Sequence, residues 1–137
     1  MTVFYADASA LLKLVREESE SSALRVFLAD ADIVSSELAL TEIPRAIRRA
    51  VMHEPELPLD LLVERAGELL DAIALRPLDS PLLAAAGALA EPALRALDAI
   101  HVASAVDLDP VDAFLTYDER QAAAARLVGL RTVAPGP

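Results

Sequence analysis

The chain has 137 residues, which suits one domain (1–137), and 55% of them are hydrophobic, enough for a sizeable core. Cysteine is absent, which excludes disulfides and thiolate zinc sites and fits a reducing, cytoplasmic setting; no apolar run reaches the ~18 residues of a membrane span. A net charge of −10 repels polyanions over most of the surface and, taken alone, argues against a nucleic-acid binder.

The start, MTVFYADASALL, lacks a basic n-region, and Asp7 interrupts its apolar run, so it does not read as a signal peptide. Thr2 to Tyr5 predict a buried strand by length and by β-branched and aromatic content, with Tyr5 in the core. Ser9 to Val15 and Ser19 to Ala29 suit two short helices, the second favoured by the acidic run Glu17, Glu18 and Glu20 at its start. Ile33 to Ser35 resemble a strand. Ser36 is the expected N-cap of a helix through about His53, whose end places His53 against the helix dipole. Pro44 lies inside that helix and predicts a kink.

A proline-marked turn, EPELPLD, precedes an amphipathic helix over Leu59 to Ala72. Ala74 to Leu78 predict a strand, Ser80 to Ala90 a helix with Pro81 in its first turn, and Leu97 to Val106 another helix. Ala113 to Tyr117, Glu119 to Val128 and Arg131 to Ala134 complete the chain as strand, helix and strand. Strands that alternate with helices imply an α/β fold with a mainly parallel sheet covered on both faces. Ligands of such sheets bind beyond the carboxyl ends of the strands.

Two strands deliver an acid to that edge: Asp7 follows the first, and Asp118 follows FLTY. Glu42 and Asp98 lie on helices. Asp98 is enclosed by Leu97, Ala99, Ile100, Val102 and Ala103, so it needs a partner. Four acids that converge with no lysine nearby suggest a hard divalent cation, for which Mg²⁺ and Mn²⁺ are the oxygen-loving choices. The plainer reading stands beside this one. Asp7 could cap the first helix, Asp118 could cap the last with Gln121 completing a capping box, and Glu42 could be solvated.

The series DASAL at 7–11, TEI at 41–43, LDAIHVASA at 97–105 and LTYD at 115–118 resembles the PIN domain. It is most similar to the VapC-like toxins of toxin–antitoxin pairs, and the likeness covers nearly the whole chain. The resemblance implies a three-layer α/β/α sandwich with about five parallel strands. It also implies a Mg²⁺- or Mn²⁺-dependent endoribonuclease, a small antitoxin as partner, and a homodimer. Metal-binding or catalytic acids fall on Asp7, Glu42, Asp98 and Asp118, and hydroxyls that support them on Ser9 and Thr116.

Asp7 and Asp98 would hold an ion directly, with Glu42 and Asp118 orienting water or completing a second site. Arg45, Arg48 and Arg49 form a local basic set, with Glu42, Arg45 and Arg49 on one helix face. Lys13 and Arg16 could form the opposite bank for RNA; a solvated, ion-paired surface is the alternative for both sets. His101, one turn past Asp98, reads as a helix-packing histidine before a general base.

Other acid-bearing α/β folds fit less well. A receiver domain needs a late lysine, and the only lysine is Lys13. A haloacid-dehalogenase-type phosphatase needs an acid where Ser9 stands, and dinucleotide binding needs glycines that ADASAL lacks. The remaining rival is a PIN-fold module that binds RNA or protein without cutting, which the four intact acids disfavour.

Overall fold

The computed structural model describes residues 1–137. Five strands, β1 (Val3–Ala6), β2 (Asp32–Ser36), β3 (Ala74–Arg76), β4 (Ala113–Leu115) and β5 (Thr132–Val133), form one parallel sheet in the order β3-β2-β1-β4-β5. The seven helices are α1 (Ala8–Val15), α2 (Ser21–Phe27), α3 (Ala39–His53), α4 (Leu59–Ala72), α5 (Ser80–Gly87), α6 (Ala96–Asp107) and α7 (Glu119–Leu127). The chain winds outward from β1 through β2 to β3, then returns to the other side of β1 for β4 and β5. The direction therefore reverses between β1 and β4, and a crevice opens there beyond their carboxyl ends.

Alternation along the central strands sorts the core into two layers. Phe4, Ala6, Ala113 and Leu115 face α1, α3 and α4 and pack with Leu11, Ile43, Ile47 and Leu62. Tyr5 and Phe114 face the other way, onto Val102 and Ala105 of α6 and Ala124 and Ala125 of α7. Their rings stack at a centroid distance of 5.2 Å. The small alanines let both helices lie close to the sheet, and α5 closes on α6 through Leu82, Ala86, Ala99 and Ala103. The α/β/α sandwich expected from the sequence is the one observed. No helix is long and apolar enough to cross a membrane.

Several boundaries differ, each for a local reason. Ser36 is not the N-cap of α3: its Oγ accepts from Leu38 N–H at 3.1 Å, but the helix starts three residues later with no side-chain cap. Helix α3 runs unbroken across Pro44, and Arg45 and Arg49 stay on the face of Glu42, lining one cleft with it. The second helix begins at Ser21, because the Ser21 hydroxyl donates to Lys13 C=O at 2.7 Å and accepts from Glu18 N–H at 2.9 Å. Strand β3 stops before Pro77, which has no N–H to continue the ladder. His53 sits in the last turn of α3, its Nδ1 2.9 Å from the Arg49 carbonyl. Asp79 caps α5 by accepting from Leu82 N–H at 2.9 Å, with a proline opening the helix as expected.

Leu11 is fully buried between the sheet and α3, whereas Leu83 on α5 is 45% exposed. Leu11→Ala should therefore cost about 2–5 kcal/mol in urea unfolding, and Leu83→Ala no more than about 0.5 kcal/mol. Equal losses would contradict this placement of the core.

Candidate active site

Strand β1 delivers Asp7 to the crevice with only 2% of its surface exposed. Its backbone N–H donates to Leu115 C=O at 3.1 Å, which continues the β1–β4 ladder one residue past the strand. Oδ1 accepts from Ser9 Oγ at 2.6 Å and from Ala10 N–H at 3.1 Å, so Asp7 is the N-cap of α1. Oδ2 accepts from Thr116 Oγ1 at 2.5 Å. A carboxylate offers about four acceptor positions, and these bonds fill three, so a cap can also serve as a ligand. Burial pushes the Asp7 carboxyl above its usual range, and the bonds from Ser9, Thr116 and Ala10 hold that rise back.

The two hydroxyls tie the ends of β1 and β4 together. Ser9 Oγ accepts from Tyr117 N–H at 2.9 Å, and Thr116 Oγ1 accepts from Asp118 N–H at 3.1 Å. Asp118 caps α7 through Oδ1, which accepts from Arg120 N–H at 2.9 Å and Gln121 N–H at 3.2 Å. The expected capping box forms only by half. The Gln121 side chain turns inward and donates to the Asp98 carbonyl at 3.2 Å, while Thr116 takes the Asp118 N–H in its place.

Glu42 is held by a residue that the sequence assigns to packing. His101 is 1% exposed, as a packing histidine should be, yet its Nε2 lies 2.6 Å from Glu42 Oε1. Its Nδ1 lies 2.7 Å from the hydroxyl of Tyr5, which is wholly buried. A carboxylate only accepts, so Nε2 carries the hydrogen of that bond, and in the neutral ring Nδ1 then accepts from Tyr5. Burial drives the Tyr5 hydroxyl far above its usual range, so it keeps the proton it donates. The only hint of this chain in the sequence is spacing: Tyr5 stands two residues before Asp7, and His101 one helical turn after Asp98.

Asp98 differs from the other three. It sits in the first turn of α6, and its carboxylate makes neither a hydrogen bond nor an ion pair with the protein. Partial burial raises its affinity for a proton, repulsion from Asp118 adds to this, His101 opposes it, and Asp7 and Glu42 add smaller repulsions. Those three repulsions place all four acids within electrostatic reach of one another.

Two clefts border the acids, one taking Leu97 and the other Asp98 from the first turn of α6. One is lined by Glu42, Ser9, Leu38, Arg45, Arg49 and Leu97, and the other by Asp98, Asp118, Arg95 and Arg120. Of the expected basic residues, Arg45 and Arg49 therefore reach the site. Arg48 instead donates to the Pro44 carbonyl at 3.3 Å. Lys13 is bonded to Glu18 and Glu20 at 3.0 and 3.1 Å, and Arg16 to Glu54 at 2.5 Å. A more apolar cleft between α5 and α6, lined by Pro81, Leu82, Ala85 and Val106, holds none of the four acids.

The donor set is all oxygen, which suits a hard divalent cation. No three His, Asp or Glu side chains are disposed to hold one ion between them. The arrangement fits a cation that keeps most of its water and takes one or two carboxylates directly, as Mg²⁺ commonly does, and it does not form a closed cage. Asp98, with no competing partner, is the most available of these carboxylates.

The PIN domain family matches residues 4–127 of the chain. The chain is 36% identical over 140 residues to ribonuclease VapC47 of Mycobacterium tuberculosis, covering 98% of each protein. It is 39% identical over 140 residues to ribonuclease VapC35 of the same organism, again over 98% of each. Its fold is similar to a chain in the crystal structure of VapBC2 from Rickettsia felis bound to a DNA fragment from their promoter. That likeness has a TM-score of 0.69 over 97% of this chain and 98% of the other, at 10% identity, and concerns the fold alone.

Two outcomes follow from the polar contacts. Tyr5→Phe removes one buried hydrogen bond and should cost about 1 kcal/mol, whereas His101→Ala strands two partners and opens a cavity and should cost about 2–5 kcal/mol. Matching urea midpoints for wild type and His101→Ala would refute this role for the chain. For Asp98 the sign is opposite. A carboxyl whose folded-state pKa is raised stabilises the fold when protonated, and that gain is lost as pH rises through the raised value. In EDTA, Asp98→Asn should match or exceed wild type at neutral pH. Its advantage should shrink as pH falls through the raised value, where folded wild-type Asp98 takes up its proton, and be gone below the ordinary value of 3.8. Thermal melts across that window check this; an Asn variant that is less stable at neutral pH would mean that Asp98 has a favourable partner.

Proposed function

Because the chain belongs to the PIN-domain family, we propose that it is an endoribonuclease, the toxin of a toxin–antitoxin pair, that hydrolyses RNA with Mg²⁺ or Mn²⁺ bound at Asp7, Glu42, Asp98 and Asp118. Its full-length relatives named ribonuclease VapC support the RNA substrate. The observation that carries the reading is Asp98: a partly buried carboxylate with no protein partner, repelled by three neighbouring acids. Such an arrangement is unfavourable for the fold by itself and is relieved by a cation.

A bound divalent ion supplies an activated water and positive charge for the phosphate oxygens. The chain's own residues do the rest. Asp98 and the remaining acceptor position of Asp7 would hold the ion. Ser9 and Thr116 fix the Asp7 carboxylate so that it cannot turn away, as outer partners of metal ligands commonly do. Asp118 has an oxygen free of its capping bonds that would take a water. Glu42, oriented by His101, lines the cleft and would orient water there.

Arg45 and Arg49 meet the RNA backbone beside Glu42, which answers how a chain of net charge −10 holds a polyanion: the positive charge is local. Lys13 and Arg16 are committed to acids, so they meet phosphate only after those pairs open. A cognate antitoxin, entering the carboxylate cluster with a basic side chain, would block the same site, and a homodimer is part of the same reading.

Asp98→Asn is the cleanest test, because no protein group bonds that side chain. Asp7→Asn would place an amide among three donors and disturb the fold as well. RNA cleavage should require Mg²⁺ or Mn²⁺, stop in EDTA, and fall at least about a hundredfold in Asp98→Asn, since a lost ligand removes several kcal/mol of charge stabilisation. Saturating Mn²⁺ should raise the wild-type melting midpoint by several degrees, the equivalent of about 2.7 kcal/mol at a hundred times the dissociation constant, and should raise the Asp98→Asn midpoint less. Cleavage in EDTA, or full activity of Asp98→Asn, would sink the assigned site. Expression without an antitoxin should slow growth and Asp98→Asn should relieve it; harmless expression of an active nuclease would remove the toxin role alone.

A further inference from the structure

The chain has 22 acids and only 12 basic residues, so acids are available in excess as partners. Lys13, Arg16, Arg25 and Arg76 do pair with acids. Arg48 and Arg126 donate instead to neutral oxygens, the Pro44 carbonyl and the Thr132 hydroxyl. The six that do neither are Arg45, Arg49, Arg65, Arg95, Arg120 and Arg131. Four of these six line the two clefts that hold Glu42, Asp98 and Asp118. Arg95 and Arg120 even share a cleft with Asp98 and Asp118, yet neither forms an ion pair with them. Their guanidinium donors are left for another anion.

We propose that Arg95 and Arg120 form a subsite for an RNA backbone phosphate, across the carboxylates from Arg45 and Arg49, so that one RNA strand crosses the acid cluster between two arginine pairs. The proposal rests on the nuclease reading and adds the path of the strand. Leu97 lines one cleft and its chain neighbour Asp98 the other, so the first turn of α6 borders both, and this turn is the place where one strand would pass from one to the other. Arginine suits the task because its planar fork binds phosphate through two bonds and never loses its charge. The start of α6 opens on the same cleft without a side-chain cap, and its first amides add partial positive charge. No aromatic ring lines either cleft, so the interaction is with the backbone and not with stacked bases.

The arginine pair also answers a repulsion. A phosphate that approaches Asp98 and Asp118 meets two like charges, and Arg95 and Arg120 offset these on the far side of the site as Arg45 and Arg49 do on the near side. The sequence hides this pairing, because Arg95 lies before one helix and Arg120 at the start of another, with no run of basic residues to mark them.

The test is fluorescence anisotropy of a labelled single-stranded RNA in the Asp98→Asn background, which prevents cleavage, as a function of NaCl. Arg95→Gln and Arg120→Gln should each weaken binding about 3–10-fold. The double variant should flatten the plot of log affinity against log salt by about 1.4, because each phosphate of a single strand that an arginine neutralises adds about 0.7 to the slope. Arg65→Gln, a free arginine elsewhere on the surface, should change neither. The Mn²⁺-induced melting shift in the otherwise wild-type chain should survive both substitutions, which shows that the fold and metal site are intact. An unchanged affinity and salt slope in the double variant would overturn the subsite while leaving the nuclease reading standing, provided the wild type cleaves RNA. A double variant that loses binding to a protein partner but not to RNA would overturn it too, in favour of a protein-docking role. Absence of both RNA binding and cleavage in the wild-type chain would remove the subsite together with the nuclease reading.

Discussion

The carboxylate of Asp7, buried at the carboxyl end of the central strand, is the group on which the site depends. An isolated charge at that depth would be costly. Here it is met by Ser9 and Ala10 from the start of α1 and by Thr116 from the end of β4. One group therefore ends β1, begins α1 and ties β1 to β4. The same hydroxyls take the backbone N–H groups of Tyr117 and Asp118, so the loop that carries Asp118 is positioned by the group that the site is built around. The crevice between β1 and β4 is where the winding of the sheet reverses, and this network gives it a fixed shape.

Around that anchor the acids are held with different degrees of freedom. Asp7 and Asp118 each cap a helix and also face the crevice. Glu42 is oriented by a buried chain that runs from Tyr5 through His101. Asp98 is held by nothing but its place on α6. Capping and ligation are thus not rival roles, since a carboxylate has enough acceptor positions for both. Asp98 alone is left without a partner and feels the charges of Asp118, Asp7 and Glu42.

Charge on this molecule is a matter of distribution. The excess of acids is general, while four of the six arginines that bond neither an acid nor a neutral oxygen line the clefts beside α6. The net charge of −10 keeps polyanions off the surface at large, and these clefts concentrate positive charge that no acid has taken.

The sequence alone determined the elements and their order, because the signals are short in range. A short β-branched and aromatic run marked VFYA, amphipathic periodicity marked Leu59–Ala72, and prolines marked a turn and a helix start. The four acids were legible as well, two just past strands and two on helices, and the family resemblance added Ser9 and Thr116 beside them. Only the tertiary structure decided what each of them touches. That His101 bonds Glu42, that Thr116 reaches Asp7, that Lys13 and Arg16 are held by Glu18, Glu20 and Glu54, and that Arg95 and Arg120 share a cleft all depend on segments far apart in the chain. A side chain's partner is chosen by packing across the sheet, and no local pattern encodes a bond between residues 59 or 109 positions apart.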